Sequence, residues 1–364
     1  MITKIRKWLL GLTLAAVGVL AAIWAVDFGA GRCPLKSEIS DAVSGVSREN
    51  LRRHVESLSA VGSRFKRVEK GAGIRADRSL PESIQQINRD LNPYGLALTG
   101  GKERDTKLTY LEDELRAIGL TPRRVTFETE KIGTGINLIT TLTGKSRPEK
   151  IIDVTAHYDT VAGSPGADDN NSGVAGVLEI ARILTKQDEL EKTVRFVFFD
   201  FEELGLVGSR AFVKSIDAGK HPRPELCLNL EMIGYFVDTP DSQQSPARIP
   251  ILFEPPTVGN TIVTVGNFNT YRHGRRLDGT YRRYVPDLPV FSVSRWGDLL
   301  GNASRSDHYS YWEAEIPALM LTDTANFRNP HYHKPTDRPE TLDFDRMKKV
   351  VQGAAAFVLD WAND

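Results

Sequence analysis

Apolar and polar positions along the chain change period several times, and those changes mark its elements. From Trp8 to Val26 a mainly apolar run carries no charge and stops at Asp27. As a helix rising about 1.5 Å per residue it would span roughly 28 Å, close to the ~30 Å of a bilayer's hydrocarbon, and Trp8 and Trp24 stand near its ends as interfacial aromatics do. It reads as a single transmembrane helix. Residues 28–45 read as a polar stalk, and Ser47 to Ala60 as an amphipathic helix with Leu51, Val55 and Leu58 on one face. Residues 61–104, rich in glycine, proline and charge, read as a surface insertion. Leu108, Leu111, Leu115 and Ile118 then recur at helical spacing over Thr106 to Ile118, with Gly119 as the stop.

Beyond that helix the period alternates between two and 3.6. Strands are expected at Arg124–Glu128, Ile136–Leu142, Ile151–Ala156, Val194–Phe199, Leu226–Leu230, Ile262–Val265 and Ala318–Leu321, with helices at Ser172–Leu184, Leu206–Ser215, Asp307–Ala314 and Asp343–Trp361. Such alternation builds an α/β fold, a mostly parallel mixed sheet flanked by helices. Residues 236–305, with many prolines, arginines and glycines, break the pattern and read as an insertion near the site. The expected division is a cytoplasmic stub and anchor over 1–27, a stalk and variable segment over 28–104, and the main domain over 105–364.

Charge alters this picture only at the start. Lysine plus arginine and aspartate plus glutamate both total 47 in 364 residues, so no basic field points to a nucleic-acid partner. Lys4, Arg6 and Lys7 ahead of the apolar run hold the N-terminus in the cytoplasm, which places everything after Asp27 in the periplasm or outside the cell. A cleaved signal peptide would have a shorter apolar core, roughly 7 to 15 residues. Cys33 and Cys227 stand in unlike contexts, so neither a disulfide nor a thiol nucleophile is expected. The oligomeric state is not legible.

Open α/β sheets bind ligands at the carboxyl ends of their strands, and the segments just past the strand ends here are rich in metal-ligand types. His157-Tyr-Asp159 comes after one strand, GADDNNSG with Asp168 and Asp169 opens a helix, and FDFEELG with Glu202 and Glu203 comes after another. Glu231 ends a third strand, and NPHYHKPTD brings His331 and His333. Singly, each is more often a helix cap or a solvated surface residue. Together they put imidazoles and carboxylates on one rim of a sheet. Nitrogen and oxygen donors without thiolate suit catalytic zinc, and the surplus of carboxylates suits a pair of ions.

In order and spacing, HYDT, GADDNNSG, FDFEELG, NLEMIGY and NPHYHKPTDRPETLD resemble the M28 zinc metallopeptidases, co-catalytic two-metal enzymes of the aminopeptidase kind. The resemblance runs from about Leu108 to the C-terminus and implies the zinc aminopeptidase fold, two zinc ions and peptide substrates. It makes His157 and Glu231 ligands of one ion, Glu203 and His333 ligands of the other, and Asp169 the bridge. Glu202 takes the position of the general base and Asp159 that of the carboxylate orienting His157. Many members carry aspartate where Glu231 stands. His331 is expected not to be a ligand, while Asp307 and His308 line the site or cap a helix. The same fold also serves glutaminyl cyclase-like and carboxypeptidase-like enzymes and binding ectodomains on a dead peptidase fold; the complete ligand set favours the peptidase.

Overall fold

A computed structural model describes residues 35–63, 65–67, 96–98, 102–129, 133–187, 189–246, 248, 254–294 and 297–364. The apolar run 8–26 and Cys33 lie outside them. Among the described residues no helix is long and apolar enough to cross a membrane.

The strands are β1 (Phe65–Arg67), β2 (Leu96–Leu98), β3 (Arg123–Phe127), β4 (Gly135–Leu142), β5 (Arg147–His157), β6 (Lys192–Phe199), β7 (Leu226–Glu231), β8 (Ile262–Val265), β9 (Val290–Val293) and β10 (Ala318–Thr322). β1 and β2 form a separate antiparallel pair. The other strands make one eight-stranded sheet in the order β3-β4-β6-β5-β7-β10-β8-β9. Its centre, β6-β5-β7-β10, is parallel, while β4 and β8 pair antiparallel to β6 and β10. The central strands therefore end on one rim.

Strict alternation feeds two cores. On β6, Val194, Phe196 and Phe198 face the larger core and Val197 and Phe199 the smaller; on β7, Leu226, Leu228 and Leu230 oppose Cys227 in the same way. Strands buried on both faces read as continuous apolar runs, as these do. Helices Arg48–Val61, Lys102–Ala117, Gly173–Leu184 and Phe344–Ala362 cover the larger core, and Val207–Asp217 with His308–Glu313 covers the smaller. Two of them start in backbone contact with the sheet. A Cβ on Gly173 would meet the Leu230 carbonyl at 2.5 Å, and one on Gly208 would overlap the Asp200 carbonyl.

Two expectations need correction. The stalk contains a helix, Ser37–Ser44, whose Ile39 and Val43 are buried in the larger core; one helical turn apart, they make a short apolar stripe inside a polar segment. The segment 236–305 is not an interruption, because it supplies β8, β9 and the helix Tyr271–Tyr284 and so completes one edge of the sheet. That helix reads as polar from its arginines. Its inner face is Gly274, Leu277, Asp278 and Tyr281, with Thr264 donating to Asp278 at 2.9 Å.

Candidate metal centre

His157 is the last residue of β5 and is fully buried. Its Nδ1 lies 3.1 Å from the carbonyl of Asp159, which takes the ring N–H and turns the Nε2 lone pair inward. Nε2 then faces Asp169 Oδ1 at 3.3 Å and Glu231 Oε2 at 3.4 Å. The Asp159 carboxylate, 3.4 Å from Nδ1, also accepts the amides of Glu202 at 3.1 Å and Glu203 at 3.3 Å. One side chain thus ties the end of β5 to the loop after β6.

That loop turns sharply. Phe201 is left-handed at φ 57° and Gly205 at φ 101°, while the Glu202 carbonyl accepts the amides of Gly205 and Leu206 at 2.8 Å. The bend puts the adjacent glutamates on one site, with Glu203 Oε2 3.1 Å from His333 Nε2 and Glu202 Oε2 3.9 Å from His157 Nε2.

Asp169 stands between the histidines. Its Oδ1 faces His157, and its Oδ2 lies 3.1 Å from His333 Nε2. Asp168 points elsewhere, accepting from the Gly234 amide at 3.0 Å and Asn329 at 2.7 Å. The Asp337 carboxylate holds the loop by accepting the amides of both Asp168 and Asp169. Asn170 donates to the Leu230 carbonyl at 2.9 Å and accepts the Met232 amide at 2.9 Å, so the ends of β7 and of this loop are fixed together. Ser306 donates to Glu231 Oε2 at 2.7 Å. His333 is left-handed at φ 58°, and its ring stacks on Tyr332 with centroids 3.7 Å apart.

The remaining candidates stand outside the two ligand sets. His331 engages Thr336 at 3.0 Å, and His308 lies 2.7 Å from the Ala303 carbonyl. Asp307 is buried, and neither of its carboxylate oxygens has a hydrogen bond. Asp337, Asn170 and Ser306 have no role assigned from the sequence, although Asp337 and Asn170 lie inside ligand-bearing motifs and Ser306 directly precedes Asp307.

Charge is crowded here. Burial, with Glu231 and Glu203 beside it, holds Glu202 well above the ordinary carboxylate range, and burial with the Asp169 carboxylate pushes Glu203 up to about 7. Burial would lower His333, but the Asp169 and Glu203 carboxylates 3.1 Å from its Nε2 push it up to about 10. Burial would raise Asp169, yet both histidines hold it below the usual range. Asp169 Oδ2, Glu203 Oε1 and His333 Nε2 are buried without a hydrogen bond. Two sets, His157 with Asp169 and Glu231, and Asp169 with Glu203 and His333, each bring ligand atoms within 4.8 Å of one another and could hold a metal ion. The donors are nitrogen and oxygen only, and they fit zinc.

Beside Glu231 and Ser306 opens a cavity of about 140 Å³, floored by Val263, Val265, Phe291, Val293 and Met320.

The model of peptidase family M28 matches residues 137–255 and 291–358, which carry every residue of this centre. The chain belongs to peptidase family M28. Among M28-like relatives, the uncharacterized protein YfbL of Escherichia coli is 37% identical over 214 residues, 56% of this chain and 64% of that one. Aminopeptidase YwaD of Bacillus subtilis is 43% identical over 219 residues, 58% of this chain and 41% of that one. The chain thus spans less than two thirds of the length of either. LapA of Legionella pneumophila shares the fold at TM-score 0.64 and 20% identity, covering 92% of this chain and 78% of its own. BSAP, a zinc aminopeptidase from Bacillus subtilis, aligns at TM-score 0.51 and 26% identity over 64% of this chain and 51% of its own.

Proposed function

We propose that the chain is a two-zinc aminopeptidase, releasing N-terminal residues from peptides. The observation that carries this reading is the division of Asp169 between His157 and His333, at 3.3 and 3.1 Å. His157 and Glu231 would hold one ion, Glu203 and His333 the other, with Asp169 common to both. Zinc held there would supply Lewis acidity, lowering the pKa of a water toward neutrality and polarising the substrate carbonyl. Glu202 makes no claim on either set and stands nearby, so it takes the proton from the attacking water and returns it to the leaving amine. Asp159 keeps His157 in its ligand tautomer and holds the Glu202–Glu203 turn in place. The apolar cavity beside Glu231 takes the side chain of the departing residue.

The apolar run 8–26 anchors the chain in a membrane once, with the peptidase outside the cytoplasm. A reporter active only in the cytoplasm, fused after Asp364, should stay silent in intact cells; a signal would reverse the topology.

The reading is tested by zinc per chain together with hydrolysis of aminoacyl p-nitroanilides. Two zinc ions and turnover are expected. A single zinc with cyclisation of N-terminal glutamine would make the protein a cyclase, and tight peptide binding without turnover would make it a receptor.

A further inference from the structure

Part of the cavity wall is a strap formed by residues 235–246 and 254–261, of which Gln243, Gln244, Pro255 and Pro256 face the cavity. Its backbone is closed on itself by Val237 N–H to the Gly259 carbonyl at 2.8 Å and by Gln243 N–H to the Thr257 carbonyl at 2.9 Å. The strap is attached to the rest of the protein at several points, among them Phe236 in the larger core, Tyr235 N–H to Asp323 at 2.9 Å and Asp238 with Arg346 at 2.6 Å, and one side chain reaches three of its residues at once. Arg328, 6% exposed, donates from Nε to Gln243 Oε1 at 2.7 Å, from Nη1 to the Tyr235 carbonyl at 3.3 Å and from Nη2 to Thr261 Oγ1 at 3.3 Å. A guanidinium taken out of water is costly unless its donors are matched. Here they are matched by the strap's start, middle and end.

Gln243 completes the latch. While accepting from Arg328, it donates from Nε2 to the Gln244 carbonyl at 2.6 Å and to Thr324 Oγ1 at 2.9 Å, and the Gln244 amide reaches the Phe327 carbonyl at 2.8 Å. Thr324, Phe327 and Arg328 belong to the loop that continues to His333. The wall of the cavity and a residue of the metal centre are therefore supported by the same stretch of chain.

We infer that Arg328, acting through Gln243, is a positioning residue that fixes the strap as the cavity wall and so sets the preference for apolar side chains of leucine size over alanine. This rests on the cavity being the side-chain subsite of the aminopeptidase. The latch touches neither ion nor scissile bond, so it acts on selectivity rather than on the chemical step.

The test uses the full chain and compares wild type, Arg328→Met and Gln243→Met on leucine and alanine p-nitroanilides, with zinc per chain and hydrogen exchange measured alongside. Both substitutions remove the donors or acceptors while keeping an unbranched side chain. Wild type should favour the leucyl substrate. Each variant should raise KM for it about tenfold, within the 10–200-fold that apolar side-chain contacts command, while KM for the alanyl substrate and both kcat values change by less than about threefold. Zinc content should not change. The amides of Val237, Gln243 and Gln244 should exchange at least about tenfold faster in Arg328→Met, a readout independent of turnover. An unchanged ratio of leucyl to alanyl kcat/KM, equal losses on both substrates, or unaltered exchange would overturn the inference. If Arg328→Met does not fold, Gln243→Met alone decides by the same criteria. A zinc-loaded wild type inactive on both substrates would instead sink the aminopeptidase reading, with the exchange rates still reporting whether the latch exists.

Discussion

Asp337 accepts the backbone amide of Asp169 at 3.1 Å across 168 positions of chain. Its other oxygen accepts the neighbouring amide of Asp168 at 2.9 Å, so one carboxylate fixes the direction in which Asp169 leaves the backbone. Asp337→Asn keeps the shape but turns an NH₂ group toward one of those amides. Zinc affinity at both positions should fall by about 10- to 100-fold, the usual cost of losing an outer support of a metal ligand. Chelator competition measures this, and wild-type affinity at both positions would remove Asp337 from the centre.

Asp169→Ala should release both ions at once, whereas His157→Ala or His333→Ala should weaken mainly one. Asp168 is committed to the Gly234 amide and to Asn329, so it is not free to replace its neighbour. Zinc analysis after dialysis decides. Retention of both ions in Asp169→Ala would mean that Asp169 is not shared.

Glu202→Gln should keep zinc and fold yet lose about 10² to 10⁴ in kcat, because an amide cannot take the proton. Glu203→Gln exchanges a charged donor for a neutral one and should lose zinc as well. The residues are adjacent and both are held by Asp159, so a merely structural effect would strike them alike. Equal zinc loss in the two variants, or full activity in Glu202→Gln, would contradict the assignment.

Away from the centre, His54 is buried with Nδ1 2.8 Å from the Tyr110 hydroxyl, and burial together with the nearby Arg53 charge lowers it from 6.5 to about 4. A histidine lowered in the folded state is neutral there while the unfolded chain already binds a proton. Its contribution is therefore complete above pH 6.5 and is lost as pH falls toward about 4, to a total of about 3 kcal/mol. Urea unfolding at pH 7.5 and pH 5 should show a smaller difference for His54→Leu than for wild type. An identical difference would show that this histidine does not carry the acid sensitivity.

The parallel core and the ligand-bearing residues were legible because they rest on period and on position after strands. Phe196 and Val197 alternate between two cores, and His157 and Glu231 each fall at a strand end. After β6 the chain bends at Phe201, a bulky residue whose left-handed φ of 57° has no sequence signal. The helix Ser37–Ser44 was hidden because two apolar residues are too few to show a period. The helix Tyr271–Tyr284 was hidden because an arginine-rich helix can bury glycine, threonine and a hydrogen-bonded aspartate in place of an aliphatic stripe. The supports from Asp337 and Asn170 depend on distant backbone amides, which no spacing rule reports.

Gly173 and Gly208 leave no room for even a methyl group where their helices meet the sheet. The loops carrying Asp169 and Glu203 are consequently short bridges between parts that cannot slide, and the donor atoms inherit that immobility. The strap is held instead by side-chain hydrogen bonds from Arg328, which substitution can change without moving a helix. The molecule therefore divides into a portion that resists retuning and a portion open to it. Efforts to redirect the enzyme toward other peptides should diversify residues 243–246, 255–256 and 300–303 and leave the two helix starts untouched.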